Sequence, residues 1–333
     1  MRRHEIPHEL KAAKQAAITR FLGHGPLVIP RAPWVTSAHP ARNLVGVGIG
    51  RKITKGRITA KPCVRLYVEH KIDRAVVPRD LLLPPHIGDV DTDIIETGPL
   101  RALAVPAGRK RLRPLRPGCS IGFRFTEAEA GNLMAGTLSA IVEADGVRYL
   151  LSNNHVLANE NRLPLGTVIF QPGPLDGGGA ADDRVATLAR FVELAADAPN
   201  AVDCALAVVD DATAVRATVL PRVGRLASAD PVDAALGMKV EKTGRATGYT
   251  TGTVHDVSAN VTVQFDLGRL LFQDQVVVTG DGGPFCDGGD SGSLVVDDRS
   301  GRATGLLFGG GREFGIANHL PDVLTRLAVK LVA

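Results

Sequence analysis

The residues best suited to chemistry in this chain lie in a short glycine-rich segment near its C-terminal end. The segment reads Gly288-Gly-Asp-Ser-Gly-Ser293 and lies between two β-prone runs. A serine hydroxyl becomes a nucleophile when a neighbouring base removes its proton, and flanking glycines let a carbonyl carbon approach closely. A tight turn here would also direct the backbone N–H groups of Gly289 and Ser291 at one position, as an oxyanion hole requires. The segment predicts Ser291 as a nucleophile, provided that the chain supplies a base.

A base and an acid are present upstream, each next to an apolar run. His155 follows the run at residues 149–152, and an imidazole with an unperturbed pKa near ~6.5 can take the serine proton and return it to a leaving group. Asp203 opens a second apolar run, where a carboxylate would fix the tautomer of His155 and stabilise the imidazolium. The three residues follow in the order His155, Asp203, Ser291, and successive members are 48 and 88 positions apart. We predict that they form a catalytic triad.

These three motifs in this order resemble those of the trypsin-like serine proteases. Residues 43–50, 62–68 and 88–97, with the motif Ser152-Asn-Asn-His155, also look like bacterial relatives of the plant narrow-leaf trypsin-like proteins. The resemblance implies two six-stranded barrels with the active site in the cleft between them. It further implies a cytoplasmic serine endopeptidase that cleaves protein or peptide substrates through a covalent Ser291 ester, with a homo-oligomer as one expected arrangement.

Two further segments are similar to the substrate-binding parts of that family. The strand at residues 306–311 resembles the one that lines the specificity pocket and pairs with the substrate backbone, which implicates Phe308, Gly309 and Gly310. Pro284 and Phe285 stand near the expected pocket floor, where the sequence has no aspartate. We therefore expect an apolar or small side chain before the cleaved bond.

One departure from the family concerns the acid that precedes the nucleophile. The chain has no Ile-Val-Gly-Gly activation terminus, so no freed amino group is expected to pair with Asp290. Another group must hold this loop.

Alternative functions remain open. A catalytically quiet protein of the same fold would use the cleft to bind peptides. A latent protease would await a partner, or self-cleavage in the basic run at residues 109–116. The hydrolase architecture with the order Ser, Asp, His does not fit, because too few residues follow Ser291 to complete it.

Cofactor and metal motifs are not recognised. The glycines at 46, 48 and 50 have the spacing G-x-G-x-G rather than the dinucleotide pattern G-x-G-x-x-G. The acidic stretch at residues 176–183 lacks the spacing of a calcium loop. The four cysteines are scattered without a C-x-x-C pair, so we expect reduced thiols, no metal and no cofactor.

Composition limits the class of protein. A chain of 333 residues exceeds the usual size of one core, and 37 glycines and 21 prolines favour turns and short strands. The net charge is +4, and much of the basic excess lies in the first 116 residues, notably in the basic run at residues 109–116. The aromatic content of 4% argues against nucleic-acid binding. No secretory segment and no run of ~20 apolar residues are present, which favours a cytoplasmic protein without a membrane span.

The predicted fold is mainly β: a trypsin-like double β-barrel with a C-terminal helix, preceded by a small α/β N-terminal domain. We place the boundary near residue 115, so that residues 1–115 hold the N-terminal domain and basic linker, with a role in assembly, regulation or substrate selection. Residues 116–333 form the protease domain. The predicted helices are residues 7–22 and 320–331, and the predicted strands include residues 44–50, 63–68, 136–143, 147–152, 205–209, 251–257, 261–265, 275–279, 293–296 and 304–308.

Overall fold

The computed structural model of the chain describes residues 1–22, 43–54, 57–79, 82–98, 101–102, 110–125, 133–210, 213–219, 223–311 and 313–333. Arg109, the first residue of the predicted basic run, lies outside these residues. Across the described ranges, no helix has both the length and the apolar character needed to cross a membrane.

The N-terminal part combines a helix with a small sheet. Its elements are a 3-10 turn (Arg3–Glu5), α1 (His8–Ala17), a π-helical turn (Ile18–Leu22), β1 (Leu44–Thr54), β2 (Arg57–Val68), a second 3-10 turn (Arg74–Val76), β3 (His86–Ile87), β4 (Val90–Glu96) and β5 (Arg101–Ala102). β1 and β2 are antiparallel, and β4 runs parallel to β2. The apolar face of α1, including Ala13 and Ala17, packs on Val64 and Leu66 of β2. Burial of this helix face is what its apolar spacing predicts.

The next strands close a first barrel. Its elements are β6 (Ser120–Ile121), β7 (Gly136–Thr137), β8 (Ala140–Ala144), β9 (Val147–Ser152), α2 (Asn154–Leu157), β10 (Val168–Phe170), two 3-10 turns (Pro174–Asp176 and Ala181–Asp183), β11 (Arg184–Phe191) and β12 (Ala205–Val209). Because only two residues separate β7 from β8, they act as one bent strand. Pairing runs in the order β6, β7–β8, β9, β12, β11, β10, and a bridge between Gly122 and Phe170 closes the circle.

A second barrel repeats this connectivity. Its strands are β13 (Lys239–Gly244), β14 (Gly248–Phe265), β15 (Gly268–Gly280), β16 (Leu294–Asp297), β17 (Ala303–Gly310) and β18 (Phe314–His319). The pairing order is β13, β14, β15, β18, β17, β16, and β16 pairs with β13 to close the barrel. In both barrels the third strand therefore pairs with the sixth, and the fourth with the first. The double β-barrel predicted from the sequence is confirmed.

The C-terminal helix is also confirmed, but it is shorter than predicted. Helix α3 (Leu320–Leu327) buries Leu320, Val323, Leu324 and Leu327 against the second barrel and its neighbours. Ala328 then takes a left-handed conformation with φ 50° and ends the helix. The remaining residues form β19 (Lys330–Leu331), which pairs with β8 of the first barrel. The chain end thus ties the two barrels together.

The N-terminal strands share a sheet with the second barrel. β14 is 18 residues long, and β1 pairs with it between Gly46–Val261 and Gly50–Asp256. The sheet continues outward from β14 through β1, β2, β4 and β3. The division of the chain near residue 115 stays a prediction, and the hydrogen bonding links its N-terminal side directly to the barrel that carries Ser291.

Candidate active site

The imidazole of His155 and the carboxylate of Asp203 form a buried pair in the first barrel. His155 lies in the single turn of α2, just after β9 ends, and Asp203 lies two residues before β12 begins at Ala205. Since β9 and β12 are neighbours in the barrel, their ends bring the two residues together. Nδ1 of His155 lies 2.5 Å from Oδ2 of Asp203, and the Asp203 side chain is fully buried. This contact fixes the ring so that Nε2 is the nitrogen available for chemistry.

Neutral donors complete the surroundings of Asp203. Its Oδ1 accepts from the backbone N–H of Asn154 at 2.7 Å and more weakly from that of His155 at 3.3 Å. The side chain of Asn153 donates to its carbonyl oxygen, and the Asn318 amide oxygen accepts from its backbone N–H at 3.0 Å. Asn318 lies on β18, so the second barrel helps to hold the acid.

Ser291 lies in the turn at residues 288–293, before β16, and this serine turn packs against the first barrel. Its carbonyl oxygen accepts from the N–H of Thr137 at 2.8 Å. Gly292 has φ 95°, and a Cβ there would overlap the Thr137 carbonyl and the Ser152 hydroxyl, so only glycine fits. Because Ser152 is the last residue of β9, this packing brings the serine turn to the strand end that precedes His155.

The serine hydroxyl and the imidazole are not hydrogen-bonded to each other in this structure. Oγ of Ser291 donates to the carbonyl oxygen of Phe308 at 3.3 Å, and Ser291 is fully buried. Nε2 of His155 is also buried and has no hydrogen-bond partner among the described residues. The structure therefore brings His155 and Asp203 together directly, whereas Ser291 is engaged by β17.

The two N–H groups predicted to form the oxyanion hole have no acceptor among the described residues. Neither Gly289 nor Ser291 donates its N–H to another described residue. Gly289 has φ 94°, and its carbonyl oxygen accepts from the Thr137 hydroxyl at 2.9 Å. A hydroxyl of the first barrel thus fixes the peptide group of the serine turn that follows Gly289. The N–H groups of Gly289 and Ser291 are left without a partner among the described residues, as the donors of an oxyanion hole must be before substrate binds.

Lys242 of β13 is the cation that pairs with Asp290, the acid that precedes Ser291. Its Nζ lies 2.8 Å from Oδ2 of Asp290, and both side chains are fully buried. The carboxylate also accepts from the N–H groups of Ala246 at 2.8 Å and Thr247 at 3.1 Å, and from the Thr247 hydroxyl. An internal cation therefore neutralises Asp290 without any freed chain terminus.

A second buried ion pair joins the barrels beside the serine turn. The guanidinium of Arg245 contacts the carboxylate of Asp176 through Nε and Nη2, both at 2.5 Å. The backbone N–H of Arg245 donates to the Thr137 hydroxyl at 3.0 Å, the same hydroxyl that donates to Gly289. Arg245 follows β13, and Asp176 ends a 3-10 turn of the first barrel. The position of the serine turn therefore depends on how the two barrels are aligned.

The three residues of the predicted substrate strand lie on β17. The ring of Phe308 is fully buried and packs on Phe272, with ring centroids 4.5 Å apart. Gly309 and Gly310 pair on one side with β18. On their other side they pair with β5, in which Ala102 is opposite Gly309 and Arg101 is opposite Gly310.

The two residues predicted near the pocket floor have different environments in the structure. Pro284 is exposed in the turn after β15. The ring of Phe285 lies in the core of the second barrel, and its carbonyl oxygen accepts from the Thr250 hydroxyl at 2.6 Å. Nζ of Lys242 lies 6.0 Å from the centre of this ring. The ring also fills the space that a side chain at Gly252 or Gly315 would need.

Sequence reasoning missed the residues that hold the serine turn: Lys242, Arg245, Thr137 and Asp176. A signal for Lys242 was present, because it lies two positions after the apolar Val240 and so shares its strand face. Both are buried on β13. The contribution of Thr137 and Asp176 depends on how the two barrels meet, which no local pattern in the sequence encodes.

The four cysteines take no part in this site. All are free and buried. Burial raises the pKa of the Cys63, Cys119 and Cys286 thiols to about 12. They therefore remain protonated and poorly nucleophilic at neutral pH.

Comparison with known proteins found one family model and several solved structures that this chain resembles. Residues 205–320 match the family model described as the Nal1 C-terminal domain, a region that runs from β12 to the start of α3. No curated protein sequence matches the chain. Solved structures with a similar fold include Thermobifida fusca protease A (18% identity, covering 66% of this chain and 100% of that chain, TM-score 0.47), the Nocardiopsis protease NAPase (16%, 66% and 100%, 0.47) and Cellulomonas bogoriensis chymotrypsin (16%, 66% and 99%, 0.44).

Proposed function

We propose that this chain is a serine endopeptidase in which Ser291, His155 and Asp203 form the catalytic triad. The observation that carries the proposal is the buried His155–Asp203 pair, whose Nε2 lacks a partner while the serine turn packs against the same strand end. A buried nitrogen without a hydrogen bond is costly, so a proton donor at this position would be favourable. The hydroxyl of Ser291 is the group that a rotation about its Cα–Cβ bond would offer.

The reaction would proceed by acyl transfer. Oγ of Ser291 attacks the carbonyl carbon of a peptide bond while its proton passes to Nε2 of His155. The N–H groups of Gly289 and Ser291 stabilise the oxyanion, and Asp203 stabilises the imidazolium. The C–N bond then breaks as His155 returns the proton to the leaving amine. Water, activated by the same imidazole, hydrolyses the Ser291 ester and restores the hydroxyl.

An extended polypeptide is the substrate class that the site suits. Phe308, Gly309 and Gly310 would supply the edge of β17 for antiparallel pairing with the substrate backbone. Pro284 and Phe285 would limit the specificity pocket, and an apolar or small side chain is expected before the cleaved bond. A relationship to the narrow-leaf trypsin-like proteins, a cytoplasmic location and a homo-oligomer belong to the same proposal.

A latent enzyme is the second candidate, and a specific contact favours it. The Ser291 hydroxyl donates to Phe308 rather than to His155, and such a hydroxyl has no general base. A partner or a change in the N-terminal part would then be required to release it. A catalytically inactive peptide-binding protein would share this geometry, but its Ser291 hydroxyl would stay bonded to Phe308.

Intact-mass spectrometry after exposure to a fluorophosphonate probe tests the proposal. We expect one adduct per chain, located on Ser291 and absent from Ser291→Ala and His155→Ala. Asp298→Asn, at an exposed position, is the matched control and should label like the wild type. A chain that takes no adduct, with or without added peptide substrates, would overturn the assignment as a protease.

A further inference from the structure

The edge of β17 opposite β18 is occupied along its whole length. β16 pairs with β17 as far as Leu306. The backbone of Leu307 then exchanges hydrogen bonds with the serine turn, donating to Ser293 and accepting from Gly292. Phe308 accepts from the Ser291 hydroxyl. The last two residues of the strand, 309 and 310, pair with β5.

The direction of β5 matters as much as its position. β5 is antiparallel to β17, with Arg101 opposite Gly310 and Ala102 opposite Gly309. A chain in this register advances along β17 toward Phe308, the residue whose carbonyl group contacts Ser291. An external peptide that reached the nucleophile along this edge would need the same two backbone positions.

We propose that β5 is an internal occupant of the peptide-binding edge and competes with extended peptides for Gly309 and Gly310. The inference rests on the proposed function, since it makes this edge the place where substrate binds. The competing ligand is an extended polypeptide that adds one antiparallel strand. Regulation follows directly, because a peptide can bind only while β5 is displaced.

The physical basis is backbone hydrogen bonding. Strand addition depends on main-chain N–H and C=O groups, so many sequences can replace β5. A tethered segment competes at an effective concentration on the order of millimolar. β5 has only two residues, and it also meets β14 through a single pair, Arg101 with Gln264. So short a strand can be displaced by a longer peptide, which makes the competition reversible.

Peptide affinity measured by fluorescence anisotropy tests the competition. The probe is a fluorescein-labelled peptide with the sequence of residues 98–108, and every protein carries Ser291→Ala so that no cleavage occurs. Consecutive pairs in an antiparallel ladder alternate in hydrogen bonding, so prolines at both positions remove the donor wherever it lies. The test variant is therefore Arg101→Pro/Ala102→Pro. Arg101→Ala is the matched control, since it loses the same charge and keeps both N–H groups.

We expect the Kd of the proline variant to be at least tenfold lower than that of Arg101→Ala, which should stay within threefold of the parent protein. A probe carrying proline at both corresponding positions should bind none of these three proteins. Arg101→Pro alone serves as a second variant if the double variant folds poorly. Equal affinities, or no binding to any variant at about 1 mM peptide, would overturn the proposal.

The result is separable from the test of catalysis. A tenfold shift without fluorophosphonate labelling of the wild-type Ser291 would support strand competition and refute the protease. Labelling of Ser291 without a shift in Kd would support the protease and refute the internal occupant.

Discussion

Each barrel contains one fully buried aspartate beside the site, and the two are neutralised differently. Asp203 of the first barrel accepts from backbone N–H groups and from the imidazole of His155. Asp290 of the second barrel pairs with the ammonium group of Lys242 and with backbone and hydroxyl donors. Only the first carboxylate is thus placed to respond to a charge that appears during a reaction.

This difference suggests a division of labour between the barrels. A carboxylate that faces an imidazole can stabilise a transient imidazolium, so its charge should matter for rate. A carboxylate already paired with an ammonium group gains nothing during the reaction, so its charge should matter for stability. Substitutions at the two sites should therefore be detected by different measurements.

The largest expected effect is on rate, in the first barrel. Asp203→Asn keeps the size of the side chain but cannot balance an imidazolium. We expect the rate of fluorophosphonate labelling of Ser291 to fall by about 10³- to 10⁴-fold. Asp298→Asn is the control and should leave the rate unchanged. Labelling of Asp203→Asn within tenfold of the wild type would remove the role of this carboxylate.

The second expected effect is on stability, in the second barrel. Lys242→Met leaves Asp290 buried without its counter-ion, which should lower the free energy of unfolding by about 3–5 kcal/mol. Urea unfolding measures this change. Lys242→Met/Asp290→Asn removes both charges and should recover a large part of the loss. If Lys242→Met alone is as stable as the wild type, the remaining donors satisfy Asp290 without the lysine.

Asp256 on β14 extends the comparison, because it is a buried aspartate to which no cation among the described residues donates a hydrogen bond. Burial raises its pKa to about 6, although the Tyr67 hydroxyl donates to it at 2.8 Å. Its proton is bound more tightly in the folded chain, so stability conferred by this group is present at low pH and is lost as pH rises from about 4 to 6. This group contributes at most about 3 kcal/mol to the free energy of unfolding.

His255 opposes Asp256 in the same pH range. Burial, with a smaller contribution from Arg65, lowers the pKa of His255 to about 4. Its stabilisation is therefore lost as pH falls from about 6.5 to 4. Urea unfolding of Asp256→Asn should show stability increasing with pH, and that of His255→Gln should show the reverse. If the free energy of unfolding changes with pH in the same direction in both variants, these pKa shifts are contradicted.

The ion pair between the barrels should have a smaller effect. Asp176→Asn keeps the shape of the side chain but weakens its bonds to the Arg245 guanidinium, at a cost of about 2 kcal/mol. A double-mutant cycle with Arg245→Gln should give a coupling energy above about 1 kcal/mol. Additive effects in urea unfolding would show that the two side chains do not act as a pair.

The smallest effect is expected where the N-terminal turn meets α3. Nη1 of Arg3 lies 2.8 Å from Oδ2 of Asp322, but the side chains are 36% and 38% exposed. Solvent screening limits such a pair to about 0.5 kcal/mol. Arg3→Ala should therefore shift the urea midpoint little, and 0.5 M salt should remove the difference. A loss above about 2 kcal/mol would indicate that the turn anchors the N-terminal part.

Local sequence patterns predicted much of the architecture. Alternating apolar runs gave strands at the correct places, such as residues 205–209, which form β12. The apolar spacing of the last helix gave its buried face, although not its end at Leu327. The candidate base and acid were also recognisable, because His155 follows one apolar strand and Asp203 precedes another. These two strands, β9 and β12, are neighbours in the first barrel.

Residues that act across the interior were not predictable in the same way. Arg245 looks like an ordinary surface cation, and the shared strand face of Lys242 and Val240 indicates burial of Lys242 but not its partner. The partners Asp290 and Asp176 are 48 and 69 residues away from Lys242 and Arg245. The pairing of β1 with β14 brings together segments more than 200 residues apart. Hydrophobic periodicity reports whether a residue faces inward, but it does not report which element lies opposite.

The sequence by itself determined the strand pattern, the closing helix and the candidate nucleophile, base and acid, because these depend on residue type and short-range spacing. The tertiary structure alone decided that Lys242 neutralises Asp290, that Ser291 donates to Phe308, and that β5 covers Gly309 and Gly310. The reason is that burial removes water as a competitor for charges and backbone groups, so their partners are chosen by how distant strands pack together.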